Sequence, residues 1–428
     1  MNKKILTLCL FLLVCVVFQP FELLAVHADG EKIFVSADGT GTACTQSAPC
    51  LPIQGLANAT DGDTIYFRAG IYTGTSNPIL TVTKGVALVG GWDGAPTGNV
   101  MLDPDEYETE FDGEGERGLL KIDSPSDVYD VSISGFVLRY GFSDYGGAID
   151  VKNGKTIIEN NAIKENHSNN YGGGIHVTAQ DGLVVRNNLL FDNYTNYGGG
   201  GIHINRSFEP EAAVIENNTF LANRTGASGY GGAIDVSRSA AIINANRISN
   251  TRYASSAILV TTDELVQITN NFIDWDIYDY ANGDAINIWY VEGETTLVVN
   301  NTIVNAKIGI KDTSTASASI TNNIFYGCWK SIDSVTGSNF TGTNNLFYNN
   351  QNDPLFLSNP VTLVNPLFVD EDKFDYHIQK DSPAVDAGAV VTLDLDFDGD
   401  PRPVGDGYDI GADEVLSDYL NYIPLITR

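Results

Sequence analysis

Four ionisable side chains occupy the same position in four similar segments of the chain. Each segment begins Tyr-Gly-Gly and continues into a short apolar strand, and the residue after its first Ile is, in turn, Asp150, His176, His203 and Asp235. Histidines flanked by carboxylates suit general acid–base chemistry, because a carboxylate orients an imidazole and sets its tautomer. The two histidines, His176 and His203, could instead hold a divalent metal ion together with a flanking Asp. They could also form cross-strand pairs that have no catalytic role.

Strand alternation tells which residues of these segments face outward. Side chains along a strand point alternately to opposite faces, so the Ile and Val residues face the core and the residues between them face outward. The outward column that contains the two histidines continues through later segments as Leu259, Asn287 and Lys311. A parallel outward column contains Lys152, Thr178, Asn205, Ser237, Thr261 and Trp289.

A repeated pair of asparagines predicts the elements that position these columns. The second position of the pair recurs along the chain at 22 to 30 residue intervals, as Asn161, Asn188, Asn218, Asn246, Asn271, Asn301, Asn323 and Asn345. Such a period, with short Val- and Ile-rich strands between turns, is typical of a solenoid. Asparagine tolerates the left-handed backbone of a sharp corner, and its amide can donate and accept hydrogen bonds. We therefore predict an internal ladder of stacked asparagine side chains.

These motifs resemble those of the right-handed parallel β-helix superfamily, which includes pectate lyases, over nearly all of the chain after residue 28. The resemblance implies an all-β, right-handed parallel β-helix solenoid with caps at both ends. We place the N-terminal cap at 29–63, the β-helix at 64–359, and the C-terminal cap and tail at 360–428. The segment 62–72 resembles the opening coil of many such β-helix proteins, and the segments 382–388, 396–403 and 409–414 are similar to the closing segment of exported "choice-of-anchor Q" proteins.

The start of the chain and its cysteines predict export. Lys3 and Lys4 precede an apolar run, and small residues follow near Ala28, so residues 1–28 read as a secretory signal peptide. No later segment reaches the length of a transmembrane span. The close pair Cys44 and Cys50 predicts a disulfide. Together these features predict a secreted or cell-surface protein.

Charge narrows the possible partners. The chain carries 54 Asp and Glu against 24 Lys and Arg, a formal net charge of −30. That field repels phosphate backbones and excludes nucleic acid as a partner. The resemblance instead implies a polysaccharide or cell-surface glycan, bound along the outward columns. We predict Lys152, Asn205, Asn287, Trp289 and Lys311 as its binding residues. Trp289 is the better sugar platform, whereas the tyrosines before the Gly pairs are predicted to stack and support the coils.

Whether the column acts as a catalyst stays open at this point. Asp150 and Asp235 are three coils apart, roughly 14 Å at the spacing of neighbouring strands. Paired-carboxylate glycosidases need about 5 to 9.5 Å. Proton abstraction by histidine, as in a polysaccharide lyase or epimerase, fits this spacing better than glycoside hydrolysis does. The alternative function is a non-catalytic structural or adhesion protein of the cell surface.

Alternating carboxylates near the C-terminus suggest a calcium loop. Asp394, Asp396, Asp398 and Asp400 alternate with other residues, one of which is Gly399, and Arg402 follows them. This pattern resembles an oxygen-rich Ca²⁺ loop. The bidentate Glu expected at the twelfth position is replaced by Gly405. We predict a structural Ca²⁺ site there, with a cap ion pair involving Arg402 as the alternative.

Overall fold

The computed structural model of the protein is a right-handed parallel β-helix, which confirms the predicted fold class. Each coil passes through three long sheets in turn, called here the first, second and third sheets. The structure describes residues 30–125, 129–178, 182–206, 211–227, 229–249, 251, 256–275, 283–289, 295–312, 317–334, 339–354 and 357–416. The predicted signal peptide and the end of the tail, from 417, lie outside these residues.

The first and second sheets are the longest, and all their neighbouring strands pair in parallel. The strands of the first sheet are Lys32–Val35, Thr64–Arg68, Ala87–Trp92, Val131–Ser134, Thr156–Glu159, Leu183–Arg186, Ala213–Glu216, Ala241–Asn244, Val266–Thr269, Thr296–Val299, Ser317–Thr321 and Asn339–Thr341. Those of the second sheet are Gly70–Tyr72, Thr109–Asp112, Val137–Arg139, Ala162–Lys164, Leu189–Phe191, Thr219–Leu221, Arg247–Ser249, Phe272–Asp274, Thr302–Val304, Ile324–Tyr326, Leu346–Tyr348 and Val361–Thr362.

The third sheet carries the outward column of ionisable residues. Its strands are Leu80–Val82, Leu120–Asp123, Ile149–Asn153, Ile175–Val177, Ile202–Asn205, Ile234–Ser237, Ser256–Thr261, Asp284–Ile288, Ile308–Asp312 and Lys330–Asp333. A four-stranded sheet fills the corner between the second and third sheets in four coils, with strands Phe142–Tyr145, His167–Tyr171, Tyr194–Thr195 and Arg224–Thr225. The remaining elements are the helix Pro52–Asn58, the 3-10 turn Glu371–Lys373, and the antiparallel strands Phe368–Asp370 and Asp375–Ile378.

Aliphatic side chains stacked from coil to coil form the core. In the first sheet, Ile158, Val185, Ile215 and Ile243 occupy equivalent positions and are fully buried. Residues between them point outward, as the alternation predicts. Each coil covers the apolar edge of its neighbour, so the buried apolar area grows with the number of coils.

The predicted asparagine ladder is present at the corner between the first and second sheets. The amide Nδ2 of Asn161 donates to Oδ1 of Asn188 at 3.1 Å, and the contact repeats along the ladder to Asn345. The two residues of each pair have different structural roles. The first, such as Asn160 with φ 54° or Asn187 with φ 55°, takes the left-handed conformation, and the second forms the ladder.

A second asparagine ladder, which the sequence analysis missed, lies at the next corner. Asn166 donates to Asn193 and Asn193 to Asn223, both at 3.0 Å. Each amide also donates to the backbone carbonyl of a neighbouring coil. These residues follow the second sheet directly, at positions that repeat with the same spacing as the first ladder. The two ladders fix the corners that flank the short strands of the second sheet.

The predicted disulfide is present. Cys44 and Cys50 form a disulfide beside the helix Pro52–Asn58. Cys328 is a buried free thiol, and burial raises its pKa to about 12. Within the described residues, no helix has the length and apolar character that a membrane span requires.

The C-terminal segment, residues 364–416, lies along the side of the last coils. Side chains of the first-position asparagines donate to its backbone carbonyls: Asn270 to Leu395, Asn300 to Asp409, and Asn344 to Ala387. Its apolar residues, among them Phe368 and Ile410, form a separate cluster with side chains of the second sheet. The C-terminal segment is therefore held by the first-position asparagines, whose side chains are not needed for the ladder.

Candidate functional site

The predicted outward column exists in the predicted register. Asp150 pairs with His176, His176 with His203, and His203 with Asp235 across neighbouring parallel strands. The register continues through Leu259, Asn287 and Lys311. Residues 24 to 32 positions apart in the chain thus become direct neighbours, because each coil contributes one residue to the column.

Asp150 and His176 form the closest contact of the column. His176 Nδ1 lies 2.8 Å from Asp150 Oδ1, and Lys152 Nζ lies 3.1 Å from the same oxygen. Burial lowers the pKa of His176, and its hydrogen bond to Asp150 acts in the opposite direction. The carboxylate is therefore placed to orient the ring and fix its tautomer, as predicted.

The second pair is looser and more deeply buried. His203 Nε2 lies 3.8 Å from Asp235 Oδ2, and His203 Nδ1 has no hydrogen-bond partner within the described chain. Burial lowers the pKa of His203 to about 3. Burial also raises the pKa of Asp235 to about 7, against a weaker opposing effect of the hydrogen bond from Ser237. This half of the column is therefore neutral at His203 and near its titration point at Asp235 at neutral pH.

Tyrosine rings cover both histidines, so the column does not form the floor of an open groove. His176 and His203 are each 3% exposed. The ring of Tyr145 lies 4.8 Å from that of His176, and the ring of Tyr171 lies 4.5 Å from that of His203. Left-handed glycines immediately after the tyrosines, such as Gly172 with φ 67°, form the turn that leads into the third sheet.

The same tyrosines form an exposed strip. Tyr145, Tyr171 and Tyr197, called here the tyrosine strip, are 40%, 36% and 56% exposed. Their ring centroids follow one another at 6.5 and 5.6 Å. The sequence predicted tyrosines that support the coil. They do stack on the coil, and they also present ring surface to solvent.

The predicted binding residues do not all reach the surface. Asn287 is buried between Leu259 and Lys311 of the neighbouring coils, and its predicted contact with a ligand stays a prediction. Trp289 is exposed and contacts the ring of Tyr230 at 5.1 Å. Lys152 and Asn205 are half-buried. Half-buried Lys311 pairs with Asp284 at 3.2 Å.

A further outward column lies in the four-stranded sheet and was not predicted. Phe142, His167, Tyr194 and Arg224 are in register on neighbouring strands. His167 contacts the rings of Phe142 and Tyr194 at 5.1 and 4.8 Å, and Arg224 lies over Tyr194. The sequence signal is the residue that follows each asparagine of the second ladder.

Two shallow depressions adjoin this column. They have volumes of about 340 and 260 Å³ and share Tyr140, Glu165 and His167 in their linings. Next to the column, Asn169 donates to Asp144 at 2.9 Å and Asn196 to the carbonyl of Asn169 at 2.8 Å. The four-stranded sheet therefore presents a row of aromatic side chains and a row formed by Asp144, Asn169 and Asn196, both beside the tyrosine strip.

No three of the carboxylates of Asp394, Asp396, Asp398 and Asp400 lie within 4.8 Å of one another, and the Ca²⁺ site proposed there stays a prediction. Asp396 accepts hydrogen bonds from the backbone of Asp398, Asp400 and Glu414, so its carboxylate closes the loop itself. Asp394 is exposed. Arg402 forms a buried ion pair with Glu414 at 2.8 Å, so it has a partner other than these aspartates. The predicted loop is thus held by its own hydrogen bonds.

Comparison with known proteins agrees with the fold. The family model described as a right handed beta helix region matches residues 128–273 and 201–375, and the chain belongs to this family. The structure is similar to that of pectate lyase Pel9A, with a TM-score of 0.58 and 13% identity over 90% of this chain and 96% of that one. It is also similar to XylC in complex with xylose, with a TM-score of 0.56 and 11% identity over 90% and 98% of the two chains. No curated protein matches the sequence.

Proposed function

We propose that the protein is exported and binds a neutral extracellular polysaccharide along the tyrosine strip and the adjoining face of the four-stranded sheet. The observation that carries this proposal is the row of stacked, exposed rings at Tyr145, Tyr171 and Tyr197. Aromatic rings offer flat apolar surface at low conformational cost, which suits the C–H faces of sugar rings. The neighbouring amides of Asn169 and Asn196 supply hydrogen-bonding groups for hydroxyls.

Charge favours a neutral polymer over a uronate. The chain has a formal net charge of −30, and carboxylates such as Asp144, Glu165 and Asp192 lie on or beside this face. A polyanion approaching it is repelled, most strongly at low salt. The two similar structures named above are a pectate lyase and a complex with xylose, so the test compares uronate polymers with neutral polymers.

Catalysis at the ionisable column is not part of this proposal. A proton-transfer group must come within hydrogen-bonding distance of its substrate. His176 and His203 lie beneath Tyr145 and Tyr171, and the low pKa of His203 stems from burial. Under this proposal, the ionisable column supports the tyrosine strip from below. The predicted catalytic roles of Asp150, His176, His203 and Asp235 remain predictions.

The test is binding of the purified protein to a panel of polysaccharides. Affinity electrophoresis with xylan and glucans, polygalacturonate and alginate should show retardation by a neutral polymer and none by the uronates at low salt. Tyr171→Ala should weaken binding about tenfold, the loss expected for one aromatic contact. Tyr129→Ala changes another exposed tyrosine outside the strip and should bind like the parent.

Two outcomes would overturn the proposal. Equal binding by the Tyr171→Ala and Tyr129→Ala variants would place the glycan elsewhere, and no binding to any polymer would favour a structural or adhesion role. Assays of new reducing ends and of unsaturated uronate products run alongside. Product formation that is lost in His176→Ala would assign catalysis to the column instead.

A further inference from the structure

Three ligand-type side chains meet where the C-terminal segment packs against the coils. Ligand atoms of His377, Asp398 and Asp413 all lie within 4.8 Å of one another. His377 Nε2 lies 2.9 Å from Asp398 Oδ2. The side chains of His377 and Asp398 are 16% and 17% exposed, and Asp413 is buried. Among the described residues, this is the group of three that could surround one ion.

The other ring nitrogen of His377 is already oriented. Its Nδ1 is hydrogen-bonded to Asp375, which directs Nε2 towards Asp398 and Asp413. Metal-binding histidines nearly always make such a contact, because a carboxylate at the far nitrogen fixes the ring and raises its basicity. Asp375 is thus a positioning residue for the three ligand-type groups.

The site also has a charge requirement. Asp413 is nine-tenths buried, and its Oδ2 accepts the backbone N–H of Ile378 at 2.8 Å. No Lys or Arg of the described chain forms an ion pair with this carboxylate, and His377 is the basic side chain that faces it. A buried carboxylate next to a second carboxylate is costly unless a cation faces both, and protonated His377 has that role when no metal ion is bound. A divalent cation would neutralise Asp398 and Asp413 together.

We propose that His377, Asp398 and Asp413 bind a first-row divalent transition metal ion such as Zn²⁺ or Mn²⁺. One imidazole nitrogen with two carboxylate oxygens suits these ions, whereas Ca²⁺ prefers oxygen ligands only. The site differs from the predicted calcium loop, since it uses Asp398 but neither Asp394 nor Asp396. The three ligands come from separate parts of the C-terminal segment, so the ion joins those parts.

The joined parts also contact the solenoid. His377 packs against the ring of Phe272 at 5.3 Å, and the backbone N–H of Ala412, next to Asp413, donates to Thr302 at 3.0 Å. Phe272 and Thr302 belong to the second sheet. The metal ion therefore stabilises the attachment of the C-terminal segment to the side of the coils, and its role is structural.

The experiment uses the full secreted chain stripped with a chelator and titrated with Zn²⁺, Mn²⁺ or Ca²⁺ alone. Calorimetry should show one site for Zn²⁺ or Mn²⁺ and a rise in melting temperature, with much weaker Ca²⁺ binding. Co²⁺ should give d–d absorption bands of a nitrogen- and oxygen-ligated ion. Asp398→Asn and His377→Gln should lose the site, and Asp375→Asn should weaken it about 10- to 100-fold.

Asp394→Asn is the matched control, because this aspartate belongs to the same loop and lies outside the three ligands. It should bind the metal ion like the parent chain. The proposal is overturned if the parent binds no equivalent of Zn²⁺ or Mn²⁺ while circular dichroism shows it folded. It is also overturned if Ca²⁺ binds best and Asp394→Asn abolishes that binding, which would restore the calcium loop.

Discussion

The ring of Tyr171 lies over the imidazole of His203, with 4.5 Å between their centroids and 32° between their planes. His203 in turn stacks on His176 at 5.3 Å, with planes 7° apart. One row of aromatic rings thus rests on another, and only the upper row meets solvent. The contact explains why an outward-facing histidine of a β-helix is buried, and why its pKa is lowered.

Removing that ring should raise the pKa of His203. Burial is the main cause of the value of about 3, and Tyr171→Ala admits water to the imidazole. The pKa should rise towards the ordinary value near 6.5, followed by NMR titration of the ring C–H signals. Tyr197→Ala is the control, since its ring contacts Tyr171 but neither histidine. An unchanged pKa in Tyr171→Ala would mean that the strip does not shield the column.

The repeats explain how much of this site the sequence could predict. The register of Asp150, His176, His203 and Asp235 follows from strand alternation and from the asparagine spacing, because one coil fixes the next. Exposure of the column does not follow from these rules. It depends on turns outside the strands, where left-handed glycines precede the third sheet.

One inserted glycine shows what sequence spacing cannot predict. The third Tyr-Gly-Gly segment has an extra Gly, and pairing places Gly198, rather than Tyr197, between Tyr171 and Tyr230. Sequence spacing alone cannot tell which residue of a lengthened turn keeps the register. The path of the C-terminal segment along the side of the coils could not be predicted from the sequence either, because residues 364–416 have no repeat that could align them with the coils.

The position of Gly198 leads to a packing prediction. A Cβ added there would lie 2.1 Å from Asp235 Oδ2. Gly198→Ala should therefore destabilise the protein by about 1–3 kcal/mol, the usual cost of overpacking. The cost should shrink in the Asp235→Ala background, measured as a double-mutant cycle by denaturant unfolding. Gly118→Ala, whose nearest neighbour would be 3.4 Å away, should cost little. Additive effects of the two changes would contradict the contact.

Asp235 should make stability depend on pH. Its pKa is raised from 3.8 to about 7 in the folded chain, so the native state holds a proton that the unfolded state releases. Stability from this group is therefore present at low pH and falls as pH rises from about 4 to 7. Asp235→Asn removes that fall, and its advantage over the parent should grow across this window by up to about 4 kcal/mol. Unfolding curves at several pH values measure it.

The control for the pH experiment is Asp144→Asn, at an exposed aspartate of the four-stranded sheet. Solvent screens an exposed carboxylate in both folded and unfolded states, so this variant should follow the parent at every pH. Parallel stability profiles for the parent and Asp235→Asn would show that Asp235 ionises normally. In that case, the carboxylate would have to be hydrated, contrary to its burial beside Gly198.

The second asparagine ladder should be as important for stability as the first. Asn193 is fully buried, donates to Ile163 O at 2.8 Å and to Asn223 at 3.0 Å, and accepts from both the backbone and the side chain of Asn166. Asn193→Ala leaves several buried groups without partners and should cost about 2–5 kcal/mol. Hydrogen exchange should then speed up most in the two neighbouring coils, because contacts in a solenoid are between adjacent repeats. Asn169→Ala, which removes a surface bond to Asp144, should cost less than about 1 kcal/mol. Equal effects of the two substitutions would mean that the ladder is a by-product of the coil geometry and not a source of its stability.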